Sequence, residues 1–211
     1  MLTGKYIVIE GHDGTGKSTQ VGLIRDKLLQ CNIKSIEFHE PAGSPMADAI
    51  RNVIKNGSLD RGSMTNLLLF SAARHEIWQK LAVNELNKGK WVVASRNYYS
   101  TLAYQGYGEG LDLKIIESVT LQSTDSRYIN PDIAIILDID NEKERVKRIS
   151  TRGKLENPDT FESRDNDFQT KVRNAYLKIA KSRNIPIVSA SQSIEKMTDE
   201  IWGYIKPHIK R

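Results

Sequence analysis

The sequence predicts an α/β fold in three layers, α/β/α, with helices on both faces of a central five-stranded parallel sheet. Three observations carry that prediction. Five short apolar runs of β type, Tyr6 to Ile9, Ile33 to Phe38, Trp91 to Ala94, Ile133 to Leu137 and Ile185 to Val188, are separated by segments of helix length. The run Ile133-Ala134-Ile135-Ile136-Leu137 is continuously apolar, as expected of a strand covered on both faces. The third is Gly11-His12-Asp13-Gly14-Thr15-Gly16-Lys17-Ser18, which follows the first run directly and has the form of a phosphate-binding loop between strand and helix.

Each element has its own local reason. After the loop, leucines and isoleucines recur at helical spacing from Ser18 to Leu29, so the first strand feeds a helix that starts near Lys17. A long helical pattern runs from about Asn66 to Asn87 and is ended by Lys88-Gly89-Lys90; another helix is expected near Leu113 to Gln122. The stretch from Thr151 to Asp165 is polar, holds Gly153 and Pro158, and lies between helical patterns, which reads as a lid of about 151–165. In parallel sheets ligands sit beyond the carboxyl ends of the strands, so the chemistry is expected at 10–18, 39–45, 95–106 and 138–141.

Composition bounds the partners. With 211 residues the chain fits one large domain, residues 1–211. Charged residues make up 27% and no apolar run approaches the roughly 20 residues of a membrane helix, so no membrane association is expected. The first strand and loop begin almost at once, leaving no sign of a signal peptide. Cys31 is the single cysteine, which excludes an intrachain disulfide and fits a cytoplasmic setting. The net charge of +5 comes from basic residues interleaved with acids, which suits a pocket for phosphorylated small molecules better than a nucleic-acid surface. His12, His39, His75 and His208 lack metal-ligand spacing.

The loop itself predicts a nucleoside triphosphate site. Its glycines let successive amides point at phosphate oxygens, Lys17 bridges the outer phosphates, and the Ser18 hydroxyl ligates magnesium. Gly11, His12, Asp13, Gly14, Thr15, Gly16, Lys17, Ser18 and Thr19 are therefore the expected ATP-binding residues.

Four further segments narrow the reaction: Glu40-Pro41-Ala42-Gly43-Ser44-Pro45, Leu68-Leu69-Phe70-Ser71-Ala72-Ala73-Arg74, Ala103-Tyr104-Gln105-Gly106 and Pro131 to Asp138. With Glu10 before the loop and Ser18-Thr19-Gln20 after it, their order and spacing resemble the thymidylate kinases, and the likeness extends through Val172 to Leu177. That resemblance implies the nucleoside-monophosphate-kinase fold, a homodimer, and magnesium-dependent transfer of the ATP γ-phosphate to dTMP. It also implies roles: Phe70 stacks on thymine, Arg74 reaches a base oxygen, Tyr104 crowds the sugar 2′ position, and Gln105 joins them in the acceptor site. Arg96 would grip the phosphates of donor and acceptor, Asp13 would orient Arg96, and Arg152 would lie over adenine. Taken singly, Phe70 reads better as a core aromatic and Arg74 as a surface charge, and Tyr104 equally as packing; the spacing of four puts Phe70 and Arg74 on one helix face beside the apolar Leu67-Leu68-Leu69, which favours the pocket for the pair. Tyr98 and Tyr99 fit either the pocket or the packing beneath it.

Two positions depart from the family pattern. Ser95-Arg96-Asn97 stands where the family usually has an aspartate before the arginine, which removes a carboxylate from the magnesium shell. Asp159-Thr160-Phe161-Glu162 stands where members with Gly14 in the loop usually place a lid arginine, leaving Arg152, Lys154 or Arg164 to supply that cation. These departures keep open a kinase of shifted acceptor specificity and a nucleotide-binding paralogue with little catalysis.

Overall fold

The computed structural model describes residues 4–151, 161 and 164–209. Its sheet holds β1 Tyr6–Gly11, β2 Ser35–His39, β3 Trp91–Ser95, β4 Ile133–Asp138 and β5 Ile187–Ser189, all parallel, in the order β2-β3-β1-β4-β5. The second and fifth strands start two residues later than the apolar runs suggest. Their ladders begin only where β3 and β4 come alongside, at the pairs Ser35 with Trp91 and Ile136 with Ile187.

Successive residues of β1 serve different layers. Tyr6 and Val8 face one core with Phe38, Val92, Ala94 and Ile136, whereas Ile7 and Ile9 face the other with Val93, Ile135 and Leu137. That period of two explains why the strands are apolar throughout. The second core is closed by α1 Lys17–Gln30 through Val21, Ile24 and Leu28, together with Met197, Ile201 and Ile205 further along the chain.

The first core is roofed by more chain than the sequence pattern shows. α2 Pro45–Lys55 starts on a proline and is capped by Ser44, whose hydroxyl accepts from the Ala47 amide. α3 Ser63–Ile77 runs on through Trp78–Ala82, where the backbone bonds widen to i→i+5, into α4 Val83–Asn87. α5 Tyr98–Thr101 is capped by the Asn97 side chain and passes into a second widened stretch, Leu102–Gly108. α6 Leu113–Ser123, α7 Ser126–Ile129, α8 Glu142–Ser150, α9 Asn166–Arg183 and α10 Ile194–Ile205 complete the layers. The lid expected at 151–165 lies for the most part outside the described residues.

The order of strands decides where the site lies. β1 stands between β3 and β4, so the chain leaves its carboxyl end at the switch point of the sheet, where loops diverge and leave a crevice.

Candidate active site

The phosphate loop is built by backbone constraints. Gly11 has φ 138° and its missing Cβ would stand 2.2 Å from the Leu137 carbonyl oxygen, so only glycine lets the loop leave β1 against β4. Gly16, at φ 88°, turns the chain into α1 and aims the helix amides back at the loop. Thr15 donates to the His12 carbonyl at 2.9 Å, and Lys17 Nζ donates to the Gly11 and His12 carbonyls at 2.9 and 2.8 Å.

Beyond the loop lies a cleft of about 300 Å³. Of the residues expected from the sequence, Asp13, Lys17, Ser18, Phe70, Arg74, Arg96, Tyr104 and Gln105 all line it, although they come from the phosphate loop and the start of α1, from α3, from the residue after β3 and from the widened helical stretch after α5. Gly11, His12, Gly14 and Thr15 form the buried body of the loop, Gly16 is half-buried, and Thr19 is exposed on the first turn of α1. Arg152 and Lys154 lie outside the described residues. Arg164 is held away from the cleft by Glu109 at 3.0 Å and by the Phe168 ring at 4.6 Å.

Arg96 is the most constrained residue here. It has φ 73°, a left-handed conformation costly for a side-chain-bearing residue, and such strain concentrates at functional sites. Its guanidinium pairs with Asp13 Oδ1 and donates to the Ser100 hydroxyl at 2.8 Å and the Tyr176 hydroxyl at 3.2 Å. Tyr104 donates to Asp13 Oδ2 at 2.6 Å. Burial opposes ionisation of Asp13, but the Arg96 and Lys17 charges and the Tyr104 hydroxyl outweigh it and hold the carboxyl well below the usual range. Asp13 therefore stays an anion whose two oxygens fix a cation and a phenol.

At the other end of the cleft, Arg74 is 1% exposed, which overturns its reading as a surface charge. Its Nε donates to Glu40 at 3.2 Å and Tyr128 at 2.8 Å, and Nη2 donates to Thr101 at 2.9 Å. Burial works against the Arg74 charge, but the Tyr128 oxygen and the Glu40 carboxylate outweigh it and keep the guanidinium protonated. Nη1 of Arg74 and Nε2 of Gln105 are buried with no acceptor among the described residues. Buried donors are normally satisfied, so two orphans on residues lining one cleft mark places for ligand oxygens. Phe70 stands on the same helix face as Arg74 and lines the cleft with it.

Several neighbours have roles that the sequence does not assign. Glu10 is fully buried and accepts from the Asn97 and Ser100 amides at 2.8 and 3.0 Å and from Tyr176 at 3.1 Å, thereby tying β1 to the turn that carries Arg96. Arg51 lines the cleft from α2; its spacing of four and three from the buried Ala47 and Ile54 is the signal that places it inward. Phe161 also lines the cleft, with its ring 6.0 Å from Phe70 and 5.8 Å from Tyr104. Tyr98 and Tyr99, by contrast, are buried against one another at 4.7 Å and against Arg183, so their role is packing.

For a divalent metal, the donor set is sparse. Among the described residues no group of three or more His, Cys, Asp or Glu side chains could hold an ion. Ser18 offers a hydroxyl at the cleft, and Ser95 lines the same cleft from the end of β3. Such a site fits a cation that arrives with phosphate oxygens supplying most of its shell.

Comparison with known proteins agrees with this geometry. The family model for thymidylate kinase matches residues 9–201. The thymidylate kinase of Prochlorococcus marinus (strain AS9601) is 36% identical over 207 residues, covering 95% of this chain and 94% of that protein. That of Carboxydothermus hydrogenoformans is 32% identical, covering 97% and 98%, and that of Legionella pneumophila (strain Corby) is 34% identical, covering 99% and 97%. Among solved structures, a thymidylate kinase from Ehrlichia chaffeensis superposes with a TM-score of 0.77 at 27% identity, covering 96% of this chain and 99% of its own. Likeness of this extent, carried through the loop, both ends of the cleft and the flanking helices, leads to one conclusion: the chain belongs to the thymidylate kinase family.

Proposed function

We propose that this chain transfers the γ-phosphate of ATP to dTMP, making dTDP for dTTP synthesis. The observation that carries the reading is the pairing within one cleft of a phosphate end, Lys17 with Arg96 and Asp13, and a base end, Arg74 with Phe70 and Gln105. A flat aromatic face and a buried, fixed guanidinium suit a pyrimidine ring with exocyclic oxygens. Tyr104, held against Asp13, fills the space between the two ends and disfavours a ribose 2′-hydroxyl.

Phosphoryl transfer requires alignment and charge stabilisation rather than a covalent intermediate. In this reading the loop amides and Lys17 hold the donor phosphates, Arg51 meets the acceptor phosphate, and Arg96 spans the oxygens over which charge spreads. Asp13 keeps Arg96 in place. Magnesium, when bound, neutralises charge on the outer phosphates, and Ser18 is the residue that would hold it. In this reading Arg152 or Lys154 supplies the lid cation. The chain acts as a single cytoplasmic domain; no helix among the described residues is long and apolar enough to cross a membrane, and Cys31 is an exposed free thiol that suits a reducing compartment.

The test is steady-state ADP formation with dTMP, dUMP, dCMP, UMP and thymidine as acceptors. dTMP is expected to exceed dUMP by about tenfold or more in kcat/KM, the discrimination one methyl group supports in an apolar pocket. A Ser95→Asp variant is expected to lower the magnesium concentration giving half-maximal rate while leaving the acceptor preference unchanged. Equal rates with several acceptors would refute the specificity, and no turnover with any would leave a nucleotide-binding protein.

A homodimer is proposed on the face formed by α2, α3 and α6. Met46 and Leu68 are 56% and 54% exposed there, and with Ile50, Ala72 and Val119 they line a shallow apolar groove. A second copy of the chain would cover it. Sedimentation equilibrium is expected to give twice the chain mass for the unmodified protein and the single mass for Leu68→Glu; a monomeric unmodified protein would refute the interface.

A further inference from the structure

The phosphate loop contains one side chain that the transfer chemistry leaves without a use. His12 is 2% exposed, and its ring does not reach into the cleft. Its Nε2 lies 2.7 Å from Oε1 of Gln169, a buried residue on α9. Nε2 of the same Gln169 donates to the Phe161 carbonyl at 2.8 Å and to the Arg164 carbonyl at 3.4 Å.

The polarity of this chain of bonds is fixed by chemistry. Carbonyl oxygens only accept, so the Gln169 amide must present its nitrogen to Phe161 and Arg164 and its oxygen to His12. His12 must then carry its proton on Nε2. The ring is neutral at pH 7, because burial and the neighbouring Arg145 charge lower its pKa to about 4, so it has a single N–H to give, and Gln169 takes it. A flipped amide would set an oxygen against two carbonyl oxygens.

Both ends of the chain touch the site. His12 holds Lys17 through its own carbonyl, and Phe161 forms a wall of the base end of the cleft beside Phe70 and Tyr104. Lys17, His12, Gln169, Phe161 and Phe70 are thus connected in sequence from the donor side to the acceptor side.

We infer that Gln169 is a positioning residue which, paired with His12, sets the acceptor wall Phe161 relative to the phosphate loop and thereby ties acceptor affinity to the donor site. The inference rests on assigning the cleft to dTMP. It reaches beyond that assignment because neither His12 nor Gln169 would touch the acceptor.

The test uses the full chain and compares kinetic constants for both nucleotides in five variants. Gln169→Leu is expected to raise KM for dTMP about 3- to 10-fold, the range for loss of one buried hydrogen bond, with kcat changed less than about twofold. Gln169→Glu, similar in size and able to accept from His12 but not to donate to Phe161, is expected to do the same. His12→Leu, a change in the donor loop, is expected to raise KM for dTMP to a similar extent, and the double variant to be no worse than Gln169→Leu alone. His12→Gln, whose amide can still donate to Gln169, is expected to restore most of the affinity.

Lower thermal stability with unchanged KM for dTMP would make the pair structural only and overturn the inference. So would effects that multiply in the double variant, because they would show that His12 and Gln169 act separately. An unmodified chain that does not turn over dTMP would refute the assignment of the cleft itself, and the pair's role in acceptor binding would fall with it; unchanged constants in an active enzyme would overturn the pair alone.

Discussion

Arg96→Ala is expected to lower kcat about a thousandfold at saturating ATP and dTMP, with both nucleotides still bound. The magnitude is that of removing a preorganised donor from charge that develops only in the transition state. The structure shows preorganisation at both terminal nitrogens of this group, one on Asp13 and the other shared by Ser100 and Tyr176, and a backbone at φ 73° that the surrounding bonds must hold in place. Arg96→Lys is expected to recover less than a tenth of the lost rate. A single ammonium cannot keep the Asp13 contact and still span the transferring oxygens. Pre-steady-state and steady-state rates measured together check this, and a loss below tenfold in the alanine variant would remove Arg96 from the chemistry.

Arg74→Met is expected to destabilise the protein by about 3 to 5 kcal/mol, the usual cost of leaving one member of a buried ion pair alone. Glu40 and Tyr128 would lose their shared cation in a largely buried region, since the Arg74 and Glu40 side chains are 2% and 6% exposed. Adding Glu40→Gln to the variant is expected to restore part of that stability without restoring dTMP affinity, because the base end of the cleft would still lack its guanidinium. Urea unfolding of the two variants, read beside dTMP titrations, separates these effects. A cost below about 1 kcal/mol for the single change would show that the pair is solvated and that its burial is not what holds Arg74 for the base.

How much of this was legible in the sequence depends on the range of the interactions involved. The expected Asn66 to Asn87 helix starts at Ser63 and contains a widened stretch at Trp78–Ala82, which no apolar period signals. The segment after β3 carries the expected residues, but it is helical from Tyr98 to Gly108, because Asn97 caps it and Glu10, 87 residues earlier, accepts the Asn97 amide. α2 lies outside the expected elements although its Ser44 cap and Pro45 start are local signals. Tyr98 and Tyr99 could be read either way until the layers were assembled around them.

The phosphate loop, the number and direction of the strands, and the residue types that meet at the cleft follow from local sequence. Strand, glycine turn and helix start fall within a dozen residues, so backbone sterics and hydrophobic period decide them without help from the rest of the chain. Long-range packing alone makes Arg74 a buried cation and turns the His12 ring from the cleft onto Gln169. The partners concerned lie 34 and 54 residues from Arg74 and 157 residues from His12. Such contacts form because the strand order β2-β3-β1-β4-β5 brings the ends of distant elements together at one crevice, and burial then makes each polar group there find a specific partner.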